Sequence, residues 1–295
     1  MNKILHKNTQ LLALLISMLS MLSIIISFSC YSATVEKKIS VFTGIIPIKY
    51  FVDRISEGKI LTNTVIGEGQ NHETYEPTPK QMEELNQAQI YFSIGFPFEK
   101  ILLKKFHEIH SKMLVVELEK SIFEFEKSLN KSKSNHQDPH LWLNPLYMKI
   151  VASKICDVLL TADKNLNNQL LYKKNLQKIN LELTTLHNEL DKRTKSLAVK
   201  HFMVYHEAFG HFAKLYGLEQ LAIEEHGKEP GAKDLMNIIK LARTRKIKVI
   251  LTQKQYNKKQ AEMIASTVGA KIVDFNPLEY DYINNMKKLI SILER

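Results

Sequence analysis

From Ile39 onward, the sequence alternates short runs rich in β-branched and other apolar residues with longer amphipathic runs. Short apolar runs of this kind predict buried strands, and the periodicity of the intervening runs predicts helices. Strands that alternate with helices favour parallel sheets covered by helices on both faces. We therefore predict an α/β fold. The strands are predicted at 39–43, 63–66, 90–94, 113–118, 202–205, 221–225, 248–252 and 270–275.

One long helix is predicted between the two groups of four strands. Residues 167–197 contain neither glycine nor proline, and their leucine and isoleucine residues recur at spacings close to three and four. A helix of about thirty residues is long enough to cross a whole domain, because it rises about 1.5 Å per residue. We interpret it as a rigid strut that connects two α/β lobes, and the alternative is a coiled-coil arm.

The chain has 295 residues, which fits two domains of about 100 to 200 residues each. We predict a signal peptide at residues 1–32 and an N-terminal α/β lobe at 35–145. A helical segment that contains the long helix follows at 146–197. The C-terminal α/β lobe is predicted at 198–295.

The first thirty residues have the layout of a secretory signal. Lys3 and Lys7 precede a charge-free apolar run at 11–28, and small residues suited to cleavage follow it. We therefore predict export to the periplasm. Two alternatives remain open, namely an uncleaved anchor, because the run is nearly long enough to span a bilayer, and a lipid anchor at Cys30.

Cysteine content and charge exclude several classes of protein. Cys30 lies in the predicted signal, and Cys156 lies alone in an apolar helical stretch, so a buried free thiol is predicted rather than a disulfide or a metal ligand. The net charge is +10, but the lysines are scattered and form no basic patch interleaved with aromatic residues. We therefore predict no nucleic-acid partner.

Three histidines lie in loops close to predicted strands. His72 lies in an irregular polar loop after the second strand, His140 lies in the stretch DPHLWLNP, and His206 directly follows the fifth strand. Ligands of open α/β sheets gather beyond the carboxyl ends of the strands. Three neutral imidazoles that meet in a cleft between lobes would suit zinc. Their spacing alone leaves open that each histidine is a structural or surface residue.

Two of these loops end at predicted helix starts. Thr78, Pro79 and Gln81 have the pattern of a capping box with proline at the first helical position. Asn144 and Pro145 predict a second helix start directly after DPHLWL. The loops that carry His72 and His140 are therefore expected to be fixed at one end by a helix.

The chain resembles the metal-specific solute-binding proteins of ABC importers, the periplasmic group that binds zinc or manganese. The resemblance is carried in order by HETYEPTPKQMEEL, DPHLWLNP, VYHEAFGHFAKLYGL, EPGAKDLMNIIKLARTRKIKVILTQKQ and GAKIVDFNPLEYDYINNMKKL. It implies two α/β lobes joined by one long helix, with a metal ion held in the cleft between them. It also implies a monomer without catalytic activity that delivers the ion to an inner-membrane permease and its cytoplasmic ATPase.

The resemblance also implies a ligand set. The family's first three ligands fall on His72, His140 and His206. A histidine at the third position accompanies zinc in the family and a glutamate accompanies manganese, so Zn(II) is the implied transported ion and Mn(II) is the alternative.

The fourth ligand departs from the family pattern. The family commonly has an acid in the loop before the last helix, where this sequence has Asn276. Water, Asn276 itself or the nearby Asp274 would complete the coordination. Gln253 also stands where relatives often carry glutamate.

Two alternative functions follow from the same residues. The first is a manganese- or iron-binding protein of the same family, which the third histidine disfavours. The second is an exported zinc-dependent hydrolase with three histidine ligands, an open fourth position and Glu207 as the base. The sequence contains no motif that identifies a substrate pocket for such an enzyme, and we predict a binding protein.

Overall fold

Two four-stranded sheets form the centre of the protein in its computed structural model, which describes residues 16–18, 38–71, 75–109, 112–129, 138–224 and 228–294. Every strand pairing in both sheets is parallel. The predicted α/β class is therefore confirmed. Most of the predicted signal peptide, including Cys30, lies outside the described residues.

The first sheet has the strand order β2-β1-β3-β4. Its strands are β1 (Ser40–Ile45), β2 (Leu61–Ile66), β3 (Ile90–Ser93) and β4 (Leu114–Glu117). The accompanying helices are α1 (Ile46–Ser56), α2 (Pro79–Asn86), α3 (Pro97–Ile109) and α4 (Leu118–Ser128). All four predicted strands of this half are present, with ends that differ by at most two residues.

The second sheet repeats this topology with the order β6-β5-β7-β8. Its strands are β5 (His201–Val204), β6 (Glu219–Ala222), β7 (Val249–Thr252) and β8 (Lys271–Asp274). Two helices connect the sheets, α5 (Pro145–Ala162) and α6 (Leu166–Ser196), and the later helices are α7 (Gly210–Tyr216), α8 (Ala232–Thr244), α9 (Lys259–Val268) and α10 (Tyr282–Leu293). In each sheet the strand order reverses beside the first strand, which is where α/β proteins form ligand crevices.

Helix α6 is the predicted long helix, and it is packed rather than free. It contacts α1, α5, α7 and α10. Its buried residues recur at helical spacing and are Tyr172, Asn175, Ile179, Leu183, Leu186, Leu190 and Thr194. Because this apolar stripe lies against helices from both halves of the chain, α6 is a strut inside the molecule and the coiled-coil alternative is wrong.

Polar contacts of α6 also connect it to both halves. Asn175 Nδ2 donates to the carbonyl of Ile55 at 3.1 Å, at the end of α1. Arg193 Nη2 donates to Glu294 Oε2 at 2.6 Å, directly after α10. One apolar core runs from the first sheet along α6 to α10, and a smaller apolar cluster lies against the other face of the second sheet. The residues from Ile39 onward thus form one compact unit.

Cys156 is a buried free thiol on α5, as predicted. Burial raises the pKa of this thiol to about 11, so it stays protonated near neutral pH. No helix within the described part of the chain is long and apolar enough to cross a membrane.

Candidate metal centre

His140 and His206 meet where the second sheet faces the connection that leads into α5. His206 follows β5 by two residues, and His140 precedes a short 3-10 turn at Leu141–Leu143. The predicted helix start is confirmed, because Asn144 Oδ1 accepts the backbone N–H of Leu146 at 2.9 Å. The segment that carries His140 is therefore held at its carboxyl end by a capped helix.

The two imidazoles face each other through their Nε2 atoms, which lie 3.3 Å apart. His140 is 3% exposed and His206 is 2% exposed. Two imidazole nitrogens bound to one tetrahedral zinc ion lie about 3.3 Å apart, given Zn–N distances of about 2.0 to 2.1 Å. The spacing of the pair thus fits two ligands of a single zinc ion without rearrangement.

The other nitrogen of each imidazole, Nδ1, is paired with a carboxylate. His140 Nδ1 lies 2.7 Å from Asp138 Oδ1, and His206 Nδ1 is hydrogen-bonded to Glu224 Oε1. When Nδ1 carries the hydrogen and donates it to the carboxylate, the lone pair of Nε2 is available for a metal ion.

Burial and charge act together on the His140–Asp138 pair. Burial lowers the pKa of the His140 imidazole, although the hydrogen bond and charge of Asp138 oppose this shift. Burial alone would raise the pKa of Asp138, but the hydrogen bond to His140 and the nearby charges of His140 and His211 outweigh it and lower that pKa. Burial therefore favours the neutral form of His140, which is the form that binds a metal ion.

Asp138 is held in place from the opposite side by α7. His211 Nε2 lies 3.0 Å from the backbone oxygen of Asp138. A Cβ atom on Gly210 would come within 2.5 Å of Asp138 Oδ2, so the carboxylate fits only because residue 210 has no side chain. The sequence HEAFGH thus contributes His206 to the site. It also contributes Gly210 and His211, which position Asp138, the hydrogen-bond partner of His140.

Aromatic rings surround the pair. Tyr256 stacks on His206 with ring centroids 5.1 Å apart and an interplanar angle of 19°. Phe96 contacts His140 edge-on at 6.1 Å, and the buried Trp142 lies 5.2 Å from His140. Trp142 also donates from Nε1 to the carbonyl of Pro277 at 2.9 Å. These rings restrict the orientation of both imidazoles and shield them from solvent.

His72, the third predicted ligand, lies outside the described residues, which omit 72–74. The chain that follows is well anchored, since Tyr75 donates to the carbonyl of Val65 at 2.8 Å and packs on Phe98. Phe98 in turn stacks on Phe96, the ring that contacts His140. The capping box predicted at Thr78 is confirmed. Within the described ranges, no group of three or more histidine, cysteine, aspartate or glutamate residues is arranged to hold a metal ion.

The two residues predicted for the fourth position contact other groups. Asn276 Oδ1 accepts the backbone N–H of Leu278 at 3.0 Å in a local turn. Asp274 accepts from Lys258 and from Thr252, each at 2.6 Å, and these hydrogen bonds lower its pKa. The assignment of a fourth ligand stays a prediction.

Glu224 is not among the site residues predicted from the sequence. This residue is buried and follows β6, the strand that lies beside β5. An acid at the carboxyl end of the predicted strand 221–225, next to the strand that precedes a candidate ligand, is the signal that would have identified it. The strand order needed to apply that signal is a property of the tertiary structure.

Comparison with known proteins gives a consistent result. Residues 41–295 match the family model described as zinc-uptake complex component A, periplasmic. The high-affinity zinc uptake system protein ZnuA of Bacillus subtilis (strain 168) is 27% identical over 254 residues, which cover 82% of this chain and 79% of that protein. A crystal structure of ZnuA has a TM-score of 0.77 at 28% identity and covers 86% of this chain and 97% of its own. The periplasmic zinc binding protein TroA from Treponema pallidum shares the fold, with a TM-score of 0.75 at 19% identity over 88% of this chain and 100% of that one.

Proposed function

This chain belongs to the family of the periplasmic zinc-uptake complex component A, and from that membership we propose that it captures Zn(II) for an ABC importer. The observation that carries the proposal is the 3.3 Å separation between the Nε2 atoms of the buried His140 and His206. The Nδ1 atom of each ring faces a carboxylate. This arrangement leaves two lone pairs directed at one point, as a zinc site requires.

The proposed ligands are His72, His140 and His206, with water, Asn276 or Asp274 at the fourth position. The imidazoles replace the hydration water of the ion, and no covalent reaction takes place. Asp138 and Glu224 place two carboxylates next to the imidazoles, so their negative charge offsets the charge of the bound cation. Imidazole-rich sites suit zinc better than manganese, which favours oxygen ligands.

The remaining parts of the proposal concern the cellular setting. The protein acts as a monomer in the periplasm after removal of residues 1–32, with lobes at 35–145 and 198–295 joined by the helical segment 146–197. It delivers the ion to an inner-membrane permease driven by a cytoplasmic ATPase. The family membership supports the periplasmic location and the role in an importer.

Isothermal titration with zinc tests the proposal. The wild-type protein is expected to bind one zinc ion, and His140→Ala is expected to weaken binding at least about 100-fold, because loss of an outer-shell partner alone costs about 10- to 100-fold. His201→Ala is the matched control, since His201 lies at the amino end of β5, whereas His206 follows its carboxyl end. Zinc binding that is unchanged in His140→Ala would contradict the proposal.

A further inference from the structure

Gln253 lies next to His206 at the carboxyl edge of the second sheet. The register of β5 and β7 pairs Val204 with Leu251, and two further residues along each strand lead to His206 and Gln253. The order β6-β5-β7-β8 reverses direction between these two strands. Gln253 therefore borders the crevice in which α/β proteins place their ligands.

The alternation of side chains along the preceding strand predicts which face of the sheet Gln253 continues. Val204 and Leu251 are part of the large core that includes α6, whereas Met203 and Ile250 belong to the smaller cluster on the other face. Because side chains alternate along a strand, Gln253 shares the face of Leu251.

A turn connects Gln253 to the ring that stacks on His206. The backbone N–H of Tyr256 donates to the carbonyl of Gln253 at 3.1 Å, and the Tyr256 ring covers the His206 imidazole. This turn is a second observation that places Gln253 beside His206.

The Gln253 carboxamide is buried without a hydrogen-bond partner among the described residues. Its residue is 3% exposed, and both Oε1 and Nε2 lack a partner. Buried polar groups in native proteins are almost always paired, and an exception near a functional site calls for an explanation. A ligand that brings its own hydrogen-bonding group would satisfy this amide.

We propose that Gln253 is a positioning residue of the metal site, whose carboxamide hydrogen-bonds to a water molecule on the bound ion. This inference rests on the proposed function. An amide oxygen accepts a hydrogen bond readily, and water polarised by a cation is a strong donor. Gln253 thus fixes the water that completes the coordination shell.

The neutral charge of Gln253 has a consequence for affinity. A glutamate at this position would accept a hydrogen bond from the same water and add a negative charge near the cation, which would tighten binding. Glutamine adds no charge, so the ion is released more readily than it would be from a Gln253→Glu variant.

The test compares Gln253→Leu, which keeps the size and removes the amide, with Gln253→Glu. Zinc affinity is measured by isothermal titration, and the visible absorption of the Co²⁺-loaded protein reports the coordination geometry. Gln253→Leu is expected to bind zinc about tenfold more weakly, as for loss of an outer-shell partner. Gln253→Glu is expected to bind more tightly, and both variants should change the Co²⁺ spectrum.

Gln87→Glu adds the same charge at an exposed position after α2 and should leave affinity and spectrum unchanged. If His140→Ala loses zinc while both Gln253 variants keep the wild-type affinity and spectrum, the inference is overturned and the proposed function stands. A wild-type protein that does not bind zinc overturns both. Thermal unfolding without metal shows whether each variant is folded. If the buried charge prevents Gln253→Glu from folding, the result for Gln253→Leu is sufficient to test the inference.

Discussion

Each of the two central imidazoles is hydrogen-bonded to a carboxylate, one from a residue close in sequence and one from a neighbouring strand. Asp138 is two residues from His140, whereas Glu224 is eighteen residues from His206 and reaches it across neighbouring strands. With both Nδ1 atoms donating, both Nε2 atoms present lone pairs at 3.3 Å, and a cation between them is stabilised. Affinity at this scale therefore depends on residues that do not contact the ion.

Gly210→Ala tests this dependence on positioning. Alanine normally stabilises a helix relative to glycine, but its Cβ would lie 2.5 Å from Asp138 Oδ2 and displace the carboxylate from His140. We expect zinc affinity to fall about tenfold by isothermal titration. Gly231→Ala is the control at the start of α8, where the nearest atom to the new Cβ would be 3.5 Å away. Equal affinities of the two variants would show that Asp138 does not position His140.

At the scale of elements, the corner between β3 and α3 is organised around the buried Glu99. Its Oε2 accepts backbone N–H groups from Ile94, Gly95 and Phe96 at 3.1, 2.8 and 2.8 Å. Its Oε1 accepts from Tyr91 at 2.9 Å. This corner places the Phe96 ring against His140. Burial raises the pKa of Glu99 to about 7, although these hydrogen bonds oppose the shift.

Stability is therefore expected to depend on pH through Glu99. Its folded-state pKa of about 7 lies above the unfolded value of 4.5, so between these values the folded protein holds a proton that the unfolded chain has lost. The contribution is fully present below pH 4.5 and is lost as pH rises through about 7, a change of about 3 kcal/mol. Urea unfolding at several pH values should show this loss in the wild type and not in Glu99→Gln, which mimics the protonated acid. Parallel pH profiles for the two proteins would exclude Glu99 as the cause.

At the scale of the whole molecule, α6 is shared by the cores of both sheets. Its apolar stripe lies against α1 and α10, which are more than 200 residues apart in the chain, and one apolar core includes all three helices. Opening of the metal site by a wide rotation about α6 would expose this core to water at a large cost in free energy. Unfolding of one sheet likewise removes packing from the other, so the two should unfold together.

Leu183→Ala tests this cooperativity. The side chain is fully buried on α6, and its truncation is expected to lower the free energy of unfolding by about 2 to 5 kcal/mol. Fluorescence of Trp142, the only tryptophan, and far-UV circular dichroism should report one coincident transition in both proteins. Leu181→Ala, on the same helix but 69% exposed, should change stability by less than about 0.5 kcal/mol. Two separate transitions would show that the halves unfold independently.

The sequence by itself determined the eight strands, the long helix, both capped helix starts and the placement of His140 and His206 in loops beside the sheets. These features depend on local periodicity and local hydrogen bonds, which neighbouring residues in the chain specify. The tertiary structure alone decided that Glu224 pairs with His206, that Gly210 admits Asp138 and that the Gln253 carboxamide is buried without a partner among the described residues. Such contacts depend on strand order and register, because these bring together atoms from residues that are distant in the sequence.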